Sequence, residues 1–156
     1  MIFIGIDPGK DGGMAVLGGS AIPYTFSFTK KTPADIWFEI ACCETMKDKF
    51  CVIERVSARP AKNKEGKTVQ GISSTFKFGY NAGMLEGFLV AACIPYEFVI
   101  PAKWQRYMGC LTGGDKKITY KKAQQLFPLN KITHSVADAL LIAEYCKRKY
   151  NEYKDR

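Results

Sequence analysis

Apolar runs separated by short turn-rich stretches dominate the first third of the chain, and this pattern is typical of consecutive strands. Residues 2–7 and 13–18 are apolar and are joined by PGKDGG, which predicts a hairpin. Residues 24–28 alternate between apolar and polar side chains and predict a third strand. Short apolar runs at 50–56 and 96–100 predict two more strands. The pattern therefore predicts five strands in all.

Helical patterns begin after the third strand and fill most of the second half. Pro33 stands near a predicted first helical turn, where proline is favoured. The predicted helices cover residues 32–46, 73–93, 101–108, 113–128 and 135–149. A polar stretch at 57–71 predicts an exposed loop. Three strands followed by strands that alternate with helices predict a single α/β domain over residues 1–156, with a five-stranded mixed β-sheet flanked by α-helices.

The long predicted helix at 73–93 carries Gly79, Gly83 and Gly87, one every four residues. Each glycine costs a helix about 1 kcal/mol relative to alanine, so the close approach of another helix is the natural compensation. Apolar residues also lie on more than one side of this helix, and we expect it to be buried on more than one side. A homodimer contact over the glycine row is the favoured explanation, and burial within one chain is the alternative.

Positive charge is concentrated in the last third of the chain. The net charge is +8, and residues 101–156 hold 12 Lys and Arg against 5 Asp and Glu. Residues 1–100 hold 11 against 10. A smaller basic cluster consists of Arg59, Lys62, Lys64 and Lys67. Clustered positive charge suits a polyanion such as nucleic acid, although a solvated lysine-rich exterior has the same composition.

Cysteine spacing and hydropathy exclude several classes of protein. The six cysteines include no C-x-x-C pair, and several lie in apolar stretches where a reduced thiol packs as a small hydrophobe. Structural zinc is therefore disfavoured. No apolar run approaches the roughly 18–20 residues that span a bilayer, and the N-terminus lacks the basic-then-apolar plan of a signal peptide. We expect a cytoplasmic protein with no membrane partner.

Three acidic residues occupy positions where an unpaired carboxylate is expensive. Asp7 ends the first apolar strand, Glu54 lies late in the fourth, and Asp138 begins the apolar part of the last helix. Pairing with Lys10 or Arg55 would neutralise one of them. Alternatively, the three carboxylates converge on Mg²⁺, which prefers carboxylate oxygens combined with phosphate and water. Two such ions about 4 Å apart activate water and stabilise the leaving oxygen in phosphodiester hydrolysis.

Glycines follow Asp7 directly, as they do in phosphate-binding loops. Here the motif has no Lys-Ser/Thr ending, and an apolar strand rather than a helix comes next, so we expect no nucleotide cofactor. Gly9, Gly12 and Gly13 are instead expected to turn the chain sharply and to keep bulk away from Asp7. Lys10 contacts a substrate phosphate in one interpretation and is a solvated turn residue in the other.

The stretches IGIDPGKDGG, VIERVSARP and HSVADALLIAEY together resemble the RuvC family of Holliday junction resolvases, and the likeness runs the length of the chain. GIDPG alone also begins other ribonuclease H-like proteins, including the YqgF group, whereas its combination with the other two stretches is more specific. SARP and STFKFGYNAGMLEGFL resemble bacteriophage members most. The resemblance implies a ribonuclease H-like fold, a homodimer, and paired nicking of four-way junctions and other branched DNA with Mg²⁺, for which Mn²⁺ substitutes.

The resemblance also assigns site residues. Asp7 matches the family's first-strand metal ligand, Glu54 the fourth-strand ligand and Asp138 the last-helix ligand. Bacterial members carry a further acid or histidine three residues before that aspartate, where this chain has Ser135, and we expect Ser135 to cap the helix. His134 precedes Asp138 by four residues and would share its side of the helix. We expect His134 to bind metal, or to orient and deprotonate the attacking water.

A set of basic residues matches the region with which the family grips the phosphate backbone: Lys103, Arg106, Lys116, Lys117, Lys121 and Lys122. Lys116 and Lys117 lie near a predicted helix start, where free backbone N–H groups also favour phosphate. Such contacts position DNA without reading its sequence. Trp104 lies among these charges and either stacks on DNA or anchors the core. Phe76 and Phe78 either contact DNA or pack in the core, and core packing is the favoured interpretation for both.

Three other functions compete with a junction-resolving nuclease. A sugar-kinase-like or actin-like ATPase needs a second similar half, for which 156 residues leave no room. A protein that binds branched DNA without cutting it has no need of three buried acids. A YqgF-like RNA-processing nuclease is disfavoured by the basic loop and the glycine row. The expected activity is a two-metal-ion endonuclease in which each subunit nicks one strand, leaving a 5′-phosphate and a 3′-hydroxyl.

Overall fold

The computed structural model describes residues 1–55, 71–113 and 115–155. Its elements are β1 (Ile2–Asp7), β2 (Gly13–Leu17), β3 (Tyr24–Ser27), α1 (Pro33–Cys42), β4 (Lys49–Glu54), α2 (Ile72–Ala91), β5 (Tyr96–Val99), α3 (Pro101–Tyr107), α4 (Lys116–Leu126) and α5 (His134–Lys154). The five predicted strands and five predicted helices are confirmed, with the largest differences at helix ends. The first helix stops at Cys42, and the last extends to Lys154.

The five strands form one mixed sheet in the order β3-β2-β1-β4-β5. β2 pairs with β1 and with β3 in antiparallel fashion, whereas β4 pairs with β1 and β5 in parallel. The register aligns Ile6 of β1 with Ile53 of β4. Asp7 follows Ile6, and Glu54 follows Ile53. Both acids therefore end their strands at the same edge of the sheet.

Helices cover both faces of the sheet because its strands alternate between two apolar cores. On one face, Phe3 and Val52 pack with residues of α3, α4 and α5. On the other face, Ile4 and Ile53 pack with residues of α1 and α2. Asp7 follows Phe3 by an even number of residues and so projects from the α5 side. None of the described helices is long and apolar enough to cross a membrane.

Helix α5 crosses β1 in backbone contact at Gly5. A Cβ atom added to Gly5 would lie 2.3 Å from both the carbonyl oxygen of Ala139 and the amide nitrogen of Ala143. Only glycine permits this approach. Because Gly5 and Asp7 share a face and Asp138 precedes Ala139, the crossing carries Asp138 to the strand ends where Asp7 lies.

Helix α2 is buried on one side only. Leu85 and Leu89 are buried against the sheet, whereas Phe76 is 72% exposed and Tyr80 is 60% exposed. The prediction that Phe76 packs in the core is therefore wrong, because α2 turns that side chain away from the sheet. Phe78 is half-buried. Packing among the described residues does not account for the glycine row either, since they place no atom within 4 Å of a Cβ added at Gly79, Gly83 or Gly87.

Candidate active site

The three acids predicted from the sequence line one cleft. Asp7 enters it from the end of β1, Glu54 from the end of β4, and Asp138 from the second turn of α5. The cleft has a volume of about 340 Å³. Its other walls come from the β1–β2 turn and from α2, α3 and α4, and include Lys10, Phe78, Gln105, Lys116 and Thr119.

The glycine-rich turn after β1 shapes the surroundings of Asp7. The backbone N–H of Gly9 donates a hydrogen bond of 2.9 Å to Oδ1 of Asp7. A Cβ on Gly12 would lie 2.2 Å from the Asp7 carbonyl oxygen and 3.0 Å from its carboxyl carbon. Gly12 thus keeps the space beside this carboxyl clear, as predicted. The turn holds the side chain of Asp7, and β2 follows where a nucleotide-binding loop would have a helix.

Burial raises the pKa of all three carboxyls. The pKa of Glu54 rises to about 7 because the group is desolvated and because Asp7 lies close to it. Desolvation also raises the pKa of Asp7, and the charge of Asp138 adds to the increase. Desolvation raises the pKa of Asp138 as well, against the opposing effects of Thr119, Lys116 and His134. Ionisation of all three carboxyls in the cleft is therefore costly without a compensating positive charge.

Ion pairing among the described residues does not supply that positive charge. Among the described residues, neither Lys10 nor Arg55 forms an ion pair with an acid of the cluster. The guanidinium of Arg55 instead lies 5.8 Å from the centre of the Phe98 ring. Lys116 lowers the pKa of each of the three carboxyls through its charge but bonds to none of them.

The donor set fits a hard divalent cation. Oδ1 of Asp138 is the one buried side-chain oxygen or nitrogen in the described part of the chain that lacks a hydrogen-bond partner. An orphaned carboxylate oxygen beside two other desolvated carboxyls is the environment that a cation stabilises. The described residues contain no preassembled group of three His, Cys, Asp or Glu ligands. Mg²⁺ usually takes one or two carboxylates and completes its shell with water and phosphate, so a full protein cage is not required.

Two buried side chains contact the acids. Neither contact was assigned from the sequence. The indole N–H of Trp104 donates a hydrogen bond of 2.7 Å to Oε2 of Glu54. Thr119 is buried, its hydroxyl donates to the Lys116 carbonyl at 3.1 Å, and its proximity to Asp138 lowers the pKa of that carboxyl. Of the two interpretations of Trp104, DNA stacking and core anchoring, the structure shows core anchoring. Fifty residues separate Trp104 from Glu54, and no local pattern connects them.

His134 begins α5 and is exposed. Its ring stacks on Tyr120 with a centroid distance of 4.4 Å, and its charge lowers the pKa of Asp138. The two residues lie four positions apart in the first part of α5, and of the two only Asp138 is among the described residues that line the cleft. The prediction that Ser135 caps this helix is wrong, because the N-cap is Thr133 and the helix begins one residue earlier. The Ser135 hydroxyl instead lies 2.7 Å from that of Thr133.

The basic residues predicted to contact DNA divide into two groups. Exposed positions on α3 and α4 hold Lys103, Arg106, Lys116, Lys117 and Lys121, and Lys122 is half-exposed. The side chain of Asp115 caps α4 by accepting the Lys117 N–H at 2.9 Å, so that amide is not free for phosphate. The cluster Arg59, Lys62, Lys64 and Lys67 lies outside the described residues.

No protein-family model and no curated protein matches the chain. Among solved structures, Thermus thermophilus RuvC superposes with a TM-score of 0.60 at 16% identity, covering 99% of this chain and 97% of that one. T. thermophilus RuvC in complex with Holliday junction substrate superposes with a TM-score of 0.62 at 15% identity, covering 98% and 96%. The chain thus has the ribonuclease H-like α/β fold of these proteins over nearly its whole length.

Proposed function

We propose that this protein is a Mg²⁺-dependent endonuclease that resolves four-way DNA junctions, and related branched DNA, by paired symmetric nicks. The observation that carries the proposal is the meeting of Asp7, Glu54 and Asp138 in one cleft with an orphaned buried oxygen on Asp138. The fold is that of a protein whose solved complex contains a Holliday junction. The likeness to bacteriophage members in SARP and STFKFGYNAGMLEGFL supports a phage-type resolvase that works in the host cytoplasm as a single domain, residues 1–156.

The acids would hold the metal, and His134 would act beside them. Bound Mg²⁺, or Mn²⁺ in its place, supplies the positive charge that activates water and stabilises the leaving oxygen in phosphodiester hydrolysis. Asp7, Glu54 and Asp138 are its ligands in this proposal. His134, on the same helix as Asp138, either joins them or accepts a proton from the attacking water at a ring nitrogen. In-line attack on phosphorus leaves a 5′-phosphate and a 3′-hydroxyl.

Basic residues beside the cleft would position the DNA backbone. Lys116 lines the cleft itself, and in this proposal it meets the phosphate next to the scissile bond. Lys103, Arg106, Lys117 and Lys121 extend the positive surface over α3 and α4. In the proposal, the cluster Arg59, Lys62, Lys64 and Lys67 contributes further backbone contacts. Contacts of this kind hold a branched duplex in place, and they read shape and charge rather than base sequence.

A homodimer would supply the second active site that paired nicking requires. Gly79, Gly83 and Gly87 form an exposed row on α2, flanked by the exposed rings of Phe76 and Tyr80. Small residues let two helices approach closely, and the adjacent aromatic rings supply apolar area to bury. A two-fold contact along this row gives both subunits the same environment, which matches the two equivalent strands of a four-way junction.

The test is cleavage of a synthetic four-way junction, with linear duplex and a structured RNA as competing substrates. We expect symmetric nicks in the junction with Mg²⁺ and none with EDTA. Asp138→Asn should retain junction binding and lose cleavage by a factor of 10² or more, because it removes a charged ligand. Asp155→Asn makes the same exchange at the exposed end of α5 and should cleave as the wild type does.

Two outcomes favour the rival functions. Binding of the junction without nicks at any Mg²⁺ or Mn²⁺ concentration contradicts the nuclease and supports a non-cleaving junction-binding protein. Cleavage of the RNA with the junction left intact supports an RNA-processing nuclease of the YqgF kind. Nicks in linear duplex at the same rate as in the junction contradict selectivity for branched DNA.

A further inference from the structure

The side chain of Trp104 makes one hydrogen bond to the described residues, and its partner is an acid of the cleft. The chain has two tryptophans, and Trp104 on α3 is fully buried. Its indole N–H donates to Oε2 of Glu54 at 2.7 Å, within the range of a strong hydrogen bond to a carboxylate. An indole nitrogen only donates, so this bond is the whole polar function of the side chain.

The indole reaches Glu54 from the core side. Trp104 packs in the apolar cluster that includes Val52, Val99 and Met108. Glu54 also lines the cleft that holds Asp7 and Asp138. The carboxyl group thus lies between a buried donor and an open cavity. A bond from the core to Oε2 restricts the torsion angles of the Glu54 side chain and leaves the other oxygen, Oε1, without a bond from Trp104.

We propose that Trp104 is a positioning residue that holds Glu54 with Oε2 toward the core, so that Glu54 binds metal through Oε1 alone. This inference rests on the metal-dependent function proposed above. Groups that hydrogen-bond a metal ligand from behind orient it, and their removal typically weakens metal affinity by about 10- to 100-fold. Trp104 therefore contributes to metal binding without contacting metal or DNA.

The first measurement is Mn²⁺ affinity without DNA, by calorimetry and by electron paramagnetic resonance. Trp104→Phe keeps an aromatic ring in the core and removes the N–H, and we expect it to weaken Mn²⁺ binding at least tenfold. Tyr107→Phe is the matched control, since it removes an aromatic hydrogen-bond donor from the same helix whose partner is Glu152 rather than Glu54. This control should bind Mn²⁺ with wild-type affinity.

The second measurement uses Trp104 as its own reporter. Trp37 packs on Phe88 in the core on the opposite face of the sheet, so Trp37→Phe leaves a chain whose emission comes from Trp104. Paramagnetic Mn²⁺ should quench this emission with the midpoint found by calorimetry, and Glu54→Gln should abolish the quenching. Replacing Trp104 by benzothienylalanine, which has sulfur in place of N–H, preserves the shape of the ring if the phenylalanine variant does not fold.

The results separate this inference from the proposed function. If Trp104→Phe or the sulfur analogue binds Mn²⁺ as tightly as the wild type while Glu54→Gln does not, the positioning role is wrong and the nuclease proposal stands. If Trp104→Phe binds Mn²⁺ weakly but the wild-type protein never nicks a junction, the positioning role stands and the nuclease proposal is wrong. A wild-type protein without any Mn²⁺ site that depends on Glu54 overturns both.

Discussion

Gly5 and Ala139 are in backbone contact where α5 crosses β1, and a Cβ on Gly5 would lie 2.3 Å from the Ala139 carbonyl oxygen. Two polypeptide backbones cannot accommodate a methyl group at that distance, so α5 or β1 must shift when one is added. A shift at this crossing changes the relative positions of Asp7 and Asp138. The active-site geometry therefore depends on a residue that carries no functional group.

We predict that Gly5→Ala destabilises the protein by at least 1–3 kcal/mol, the usual cost of overpacking a core. Denaturant unfolding monitored by circular dichroism gives the free energy directly. Gly79→Ala makes the same substitution on α2, where no described atom lies within 4 Å of the added Cβ. That control should stabilise the monomer by up to about 1 kcal/mol. Equal effects of the two substitutions would contradict the close crossing.

The glycine row on α2 gives a prediction about dimer association rather than about folding stability. Gly83→Leu should preserve the folded monomer, because no described atom lies within 4 Å of a Cβ added at this exposed position. It should weaken a dimer that packs along this row, and we expect the dissociation constant to rise at least tenfold. Sedimentation equilibrium measures both quantities. Ala102→Leu enlarges an exposed residue on α3 and is the control that should leave association unchanged.

Part of the candidate site could be predicted from the sequence because strand ends meet at one edge of a sheet. Asp7 and Glu54 each follow an apolar run, and parallel pairing of β1 with β4 then places them side by side. The place of Asp138 beside them was inferred from the family resemblance, since helix periodicity does not show which strand α5 crosses. That crossing depends on Gly5, whose role becomes visible only when Ala139 is seen above it.

The rest of the site depends on long-range packing that local patterns do not encode. Trp104 lies between Lys103 and Arg106, which suggested DNA contact as readily as core packing, yet its indole points inward to Glu54. Phe76 was expected in the core because apolar rows usually mark buried faces, but only the side of α2 with Leu85 and Leu89 meets the sheet. Ser135 does not cap α5, because Thr133 is the N-cap and has the extended backbone conformation of that position.

The salt dependence of DNA binding should identify the lysines that contact phosphate. Lys117→Ala removes an exposed charge from the first turn of α4, beside the cleft. If Lys117 neutralises one phosphate, the slope of log K against log salt concentration falls by about 1. Lys147→Ala is the control because Lys147 lies near Leu17, at the end of the β1–β2 pair opposite Asp7. If Lys117→Ala leaves the slope unchanged, the proposed contact between α4 and DNA phosphate is wrong.

The raised carboxyl pKa values predict how the stability of the metal-free protein depends on pH. The pKa of Glu54 is about 7 in the folded state against an ordinary value of 4.5. The folded state therefore holds a proton that the unfolded chain releases, and stability falls as pH rises from about 4.5 to about 7. Glu54 alone accounts for a loss on the order of 3 kcal/mol, and Asp7 and Asp138 act in the same direction.

Denaturant unfolding in EDTA at pH 5 and pH 8 measures this loss of stability. We expect the metal-free wild type to be less stable at pH 8, because three carboxylates must then ionise in a desolvated cleft. Glu54→Gln should reduce the difference between the two pH values, since its side chain does not titrate. Excess Mg²⁺ should restore stability at pH 8 more than at pH 5, because metal binds the ionised cluster and competes with protons. If Mg²⁺ stabilised the protein equally at both pH values, the proposal that it binds these three ionised acids would be wrong.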